Sequence, residues 1–192
     1  MISTLKGNIL LENGSIYDPC NNKNIKGAIL LQNGIIKEVG KFTPPKNVKR
    51  INCQGKIVAP GLIDIHAHFR EPGREDKETL ATGALAAFSG GFTRVCVMPN
   101  TNPPLDAPES IRFILEKAAD LPIHIFPIGA ITKRQEGLEI TEIGEMVQAG
   151  AVAISDDGMP VQNGQVMRYA VEYAQRFNIP VINHAEDIYL LN

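Results

Sequence analysis

His66, His68 and Arg70 stand at alternate positions at the end of an apolar run that starts at Gly61. In extended backbone, successive side chains point to opposite sides, so Asp64, His66, His68 and Arg70 share one face. Two imidazoles one strand repeat apart can grip a single metal ion. A guanidinium just beyond them can hold an anionic substrate through two charge-assisted bonds. The pattern is that of a catalytic metal site with a carboxylate hook, and it needs further ligands from elsewhere in the chain.

Those ligands must come from other elements. From residue 61 onward, short apolar segments alternate with amphipathic ones, the signature of a parallel sheet built from βα units. The expected strands are 63–68, 92–98, 123–128, 151–155 and 180–184. The helices between them show apolar stripes at Leu80, Ala84, Ala87 and Phe88, then at Ile111, Ile114, Leu115 and Ala118. A third stripe runs through Ile143, Met146 and Val147, and a fourth through Val166, Tyr169, Ala170, Tyr173 and Ala174, with the aromatic residues expected in the core. Gly90-Gly91 and Gly150 read as helix stops.

In parallel α/β folds the carboxyl ends of the strands line the site. Read together, those ends bring His66, His68 and Arg70 to one mouth with Pro99, Asn100 and Thr101, with Asp156-Asp157, and with His184. Three imidazoles and a carboxylate suit a borderline-soft divalent cation such as zinc, and two ions bridged by the carboxylate are geometrically plausible. His124 lies within a strand rather than beyond its end and is left outside the set. Asp64 sits deeper on the histidine face, where it either orients a ligand imidazole or serves the local backbone. Glu71, Pro72 and Gly73 read as a solvated loop.

Before residue 61 the chain reads as all β. Asn13-Gly14 and Asn33-Gly34 each look like a tight hairpin turn, within 8–17 and 28–39 respectively. Residues 1–58 are expected to form a small β-sandwich segment, and 59–192 the α/β part.

Composition excludes several classes. Hydrophobic residues make up 44% and charged residues 21% of the 192, and the formal charge is −2. There is no basic field for a nucleic acid, no run of membrane-spanning length and no signal peptide, so a cytoplasmic protein is expected. Cys20, Cys53 and Cys96 lack the spacing of a disulfide framework or a cysteine metal site.

These residues amount to a family resemblance. The run from Pro60 through His66, His68, Arg70 and Glu71 to Gly73 resembles the metal-binding opening of the amidohydrolase superfamily, specifically its bacterial type I dihydroorotases. Met98-Pro99-Asn100-Thr101, Ser155-Asp156-Asp157-Gly158 and Asn183-His184-Ala185-Glu186-Asp187 continue the match in order and spacing along the whole chain. The resemblance implies a (β/α)8 barrel, here about five βα units, preceded by the β-sandwich segment. It implies that His66 and His68 hold one Zn2+, that His184 helps hold a second, and that Asp157 bridges the pair, with Asp156 the alternative. Many relatives use a carboxylated lysine there, and 151–158 contains no lysine. Arg70 and Asn100, with His68, would meet the substrate.

The implied reaction is the reversible cyclisation of N-carbamoyl-L-aspartate to (S)-dihydroorotate in pyrimidine biosynthesis. In this family a general-base aspartate follows the eighth strand and a further metal histidine the sixth, both beyond residue 192. A closed barrel of this kind needs about 250 residues, and only about 130 follow residue 60. The isolated chain is therefore expected to be poorly behaved and inactive, with unpaired first and fifth strands. The resemblance also admits a homo-oligomer or an aspartate transcarbamoylase partner, in which this half could be structural. A hydantoinase or allantoinase shares the H-x-H pattern, but a neutral ring offers no carboxylate to Arg70. A phosphatase fits poorly, for want of cations to meet a phosphate.

Overall fold

The computed structural model describes residues 7–188 and 190. Within them the chain divides between Gly61 and Leu62 into two compact units.

The first unit is made of short strands: β1 (Asn8–Glu12), β2 (Ser15–Asp18), β3 (Lys23–Ile25), β4 (Ala28–Gln32), β5 (Ile35–Gly40), β6 (Lys49–Asn52) and β7 (Ile57–Val58). They form one sheet in the order β5-β4-β1-β6 and another in the order β3-β2-β7. Ile9, Leu10, Ile16, Ile29, Leu30 and Cys53 supply the buried side chains. Asn33-Gly34 makes the expected hairpin: Gln32 pairs with Ile35, and both turn residues have positive φ, 51° and 81°.

Asn13-Gly14 does not make a hairpin. β1 and β2 belong to different sheets, and only Asn13 of the pair has positive φ. Gly14 is needed for close approach instead, since a Cβ there would sit 2.8 Å from both Cys53 Cβ and Val58 Cγ2.

The second unit is α/β. Its strands β8 (Leu62–Ala67), β9 (Phe92–Val97), β10 (His124–Gly129) and β11 (Ala153–Ile154) form one curled, wholly parallel sheet in chain order, a half-barrel. Helices α1 (Leu80–Ser89), α2 (Pro108–Ala118), α3 (Ile143–Ala149) and α4 (Gly164–Gln175) make the crossovers. Local chemistry sets their ends. Thr79 and Thr82 cap α1 reciprocally, Pro108 opens α2, and Asn163 accepts from Gln165 and Val166 at the start of α4. Gly150 closes α3 at φ 115°, where a Cβ would come within 2.6 Å of Leu115 Cδ1.

Alternation along the strands sorts the two faces. Val95 and Val97 pack under the helices with Leu80, Ala84, Ile111, Ile114, Ile125, Ile143, Met146 and Ala170, while Cys96 and Met98 join Ile128 and Ala153 on the other face. β8 is an edge strand, with Ile63 and Ile65 exposed. No helix among the described residues is long and apolar enough to cross a membrane.

The details depart from expectation at three places. The fifth strand reduces to one bridge, Ile154 to Val181, because β11 is itself only two residues long and offers no longer ladder. α1 buries Leu80, Gly83 and Ala84 and leaves Phe88 exposed, because the Phe69 ring lies against Gly83 and takes the place of a larger side chain on the helix. Tyr169 is likewise half exposed on α4, whereas Tyr173 packs edge-on against Phe177 beside the core.

Candidate metal centre

β8 delivers His66 on the strand and His68 just past its end, their rings 5.1 Å apart and steeply inclined at 69°. The chain turns sharply after β11 and presents Asp157, which is 6% exposed, to both. Asp157 Oδ1 lies 3.4 Å from His66 Nε2, and Oδ2 lies 3.5 Å from His68 Nε2. The ligating atoms of these three residues all lie within 4.8 Å of one another.

Those separations are long for hydrogen bonds and short for bystanders. Donors held about 2.0–2.2 Å from one tetrahedral zinc ion are about 3.3–3.6 Å from each other. The His66, His68 and Asp157 atoms therefore fit a common cation in both chemistry and spacing.

His68 is fixed further by Asn100, whose Oδ1 lies 2.9 Å from Nδ1. The amide oxygen can only accept, so Nδ1 carries the proton and Nε2 keeps its lone pair for a cation. The Asn100 amide also reaches Asp157 Oδ2 at 3.5 Å. His184 approaches from the segment beside β11, with Nδ1 3.1 Å from Asp157 Oδ1 and Nε2 2.6 Å from Glu186 Oε2. Those two carboxylates, Glu186 first, raise the His184 pKa above its ordinary value.

Asp156 and Asp157 have separate surroundings. Asp156 is 2% exposed and accepts the backbone N–H groups of Ile131 at 2.8 Å and Thr132 at 3.2 Å, together with the Thr132 hydroxyl. Burial pushes its pKa up against the opposing effect of those donors. Its oxygens serve the loop after β10, and Asp157 is the carboxylate that faces the histidines. Asp64 accepts the main-chain N–H of His66 at 2.9 Å, which settles its contact as a local one. His124 is exposed at the start of β10, away from these groups.

Arg70 is half-buried in left-handed backbone, φ 59°. Glu71 is no solvated residue. It is buried, and it accepts from Leu80 N–H and Lys117 Nζ. Nothing local predicts a partner 46 positions away. Glu186 reaches His184 through a tight turn, its N–H donating to His184 O at 2.9 Å, which brings its carboxylate back to the ring.

Residues 55–192 match the family model described as dihydro-orotase-like. The dihydroorotase of Acetivibrio thermocellus is 46% identical over 181 residues, covering 94% of this chain and 42% of the relative; that of Syntrophotalea carbinolica is 44% identical over 184 residues, covering 95% and 43%. The chain thus spans less than half the length of these relatives.

Among solved structures, the L-hydantoinase (dihydropyrimidinase) from Arthrobacter aurescens superposes with a TM-score of 0.81 at 20% identity, over 93% of this chain and 41% of that one. The D-hydantoinase from Thermus sp. gives 0.73 at 24% identity, over 95% and 41%. At such identities the likeness speaks for the fold alone. The match of residues 55–192, more than half of the chain, places it in the dihydro-orotase-like family.

Proposed function

We propose that this chain carries the metal-binding opening of a dihydroorotase, which opens the (S)-dihydroorotate ring with water to N-carbamoyl-L-aspartate and closes it in reverse. The observation that carries this reading is Asp157, turned toward three imidazoles, with His66 and His184 on one oxygen and His68 on the other. The three imidazoles and the carboxylate would together hold divalent cations, zinc by the chemistry of the donors; the oxygen shared by His66 and His184 does not follow the pairing of His66 with His68 on a single ion that the resemblance implies.

The chemistry such ions would supply is acidification of a bound water, whose pKa metal binding lowers to about 7, so that hydroxide forms at neutral pH. The protein's own contribution is orientation. Asn100 locks the His68 tautomer, Glu186 holds the far nitrogen of His184, and Asp64 holds the His66 main chain. Arg70 supplies a guanidinium whose fork matches the substrate's carboxylate, a group that neutral hydantoins lack.

Substrate choice tests the reading. The full-length, zinc-loaded protein is expected to turn over dihydroorotate with a kcat/KM at least about a hundredfold above hydantoin and allantoin, the discrimination a site gains from a polar partner that only one substrate satisfies. Equal or faster turnover of the neutral rings would overturn it.

A further inference from the structure

Glu71 directly follows Arg70 and is 3% exposed. A carboxylate so placed needs partners. The Leu80 N–H donates to one oxygen at 2.7 Å and the Lys117 ammonium to the other. Leu80 is the first residue of α1 and Lys117 lies in the last turn of α2, so a single side chain ties the loop after β8 to two helices. The Lys117 ammonium also lies 5.4 Å from the Phe113 ring centroid.

The same loop is held at three other points. Phe69 is buried against Gly83 of α1, the Asn102 N–H donates to Pro72 O at 2.9 Å, and Gly73 lies so close to Asn102 that a Cβ would come within 1.9 Å of its carbonyl oxygen. Asn102 stands two residues after Asn100, so the Arg70 and Asn100 loops form one body. Arg70 itself is in left-handed backbone, which residues with a Cβ disfavour and neighbours must enforce. The N–H of Glu71 donates to Phe69 O at 2.8 Å across that turn.

We propose that Glu71 and Lys117 act as a positioning pair that fixes the direction in which Arg70 meets a substrate carboxylate. The inference rests on the dihydroorotase reading above. Glu71 is spent on Leu80 and Lys117 and works through Arg70; at α1 it accepts the Leu80 N–H while Thr79 separately accepts that of Thr82, and the bond to Lys117 of α2 is the part that helix capping does not call for.

Steady-state kinetics on the zinc-loaded full-length protein test it, with Lys117→Met as the main variant because Lys117 itself is half exposed; a thermal melt run beside the kinetics confirms that each variant is folded at the assay temperature, since Lys117→Met leaves the buried Glu71 carboxylate one partner short. Lys117→Met and Glu71→Gln are expected to raise the KM for dihydroorotate about tenfold, in line with the cost of a small misplacement, with kcat and bound zinc within about twofold of wild type. Lys117→Arg is expected to restore KM. Glu71→Gln on an Arg70→Ala background is expected to add nothing, since the group it positions is gone.

An unchanged KM in Lys117→Met, or an effect that persists without Arg70, would overturn the pair's role while leaving the dihydroorotase reading intact. Failure of the full-length wild-type protein to turn over dihydroorotate would instead remove that reading.

Discussion

Asp156 and Asp157 are the same residue type, adjacent in sequence and almost equally buried, yet the two sides of the chain they face are unlike. Asp156 meets three protein donors that fully occupy it. Asp157 meets imidazole nitrogens at 3.1–3.5 Å and one amide at 3.5 Å. A carboxylate saturated by backbone N–H groups is structural, because any ligand would have to displace bonds that cost nothing to keep. A carboxylate faced by imidazoles at the edge length of a coordination tetrahedron is spaced to share a cation with them. The difference teaches that burial does not separate site from scaffold; the identity of the donors does.

The sharpest way to break that comparison is to remove each carboxylate in turn. Asp157→Ala is expected to lower zinc affinity about a thousandfold, the loss of a charged ligand from a small set, with little change in the apo protein's thermal midpoint. Zinc titration against a competing chelator measures it. Retained affinity would mean that the imidazoles suffice and that Asp157 only neutralises them.

Asp156→Ala is expected to act in the opposite sense. It strands the N–H groups of Ile131 and Thr132 and the Thr132 hydroxyl in the interior, at a cost of about 3 kcal/mol in all. For a chain of this size the thermal midpoint should fall by roughly 6–12 °C. Zinc affinity should fall far less than in Asp157→Ala. Equal losses of zinc affinity in the two variants would show that the pair works as one unit and that the division drawn between them is wrong.

The same distinction explains what was legible beforehand. The α/β class, the crossover helices and the gathering of His66, His68 and Asp157 follow from period and from strand-end placement, both local properties of the chain. What escaped is decided at a distance. Asn33-Gly34 turns a hairpin and Asn13-Gly14 crosses between sheets, although the dipeptide is identical, because Cys53 and Val58 press on Gly14. Phe88 fits the apolar stripe of α1, but Phe69 against Gly83 rotates the buried face away from it. Glu71 sits in a charged, loop-like stretch, and its burial depends on Lys117. The choice between Asp156 and Asp157 required knowing that the loop after β10 presents its N–H groups to the first of them.

His124 gives the smallest expected effect and tests whether residue type alone could carry the argument. It is a histidine in a strand of the same sheet, as His66 is, but it stands at the start of β10 rather than the carboxyl end of its strand, and its side chain is exposed. Parallel strands gather their ligands at one end only. His124→Gln should therefore leave zinc affinity unchanged and move stability by no more than about 0.5 kcal/mol, the usual range for a surface position. Its nearest ring, Phe126 at 6.4 Å between centroids, offers no coupling strong enough to enlarge that effect. A measurable loss of zinc in this variant would mean that the chain binds metal at the opposite end of the sheet, and the contrast drawn from Asp156 and Asp157 would then describe only one of two centres.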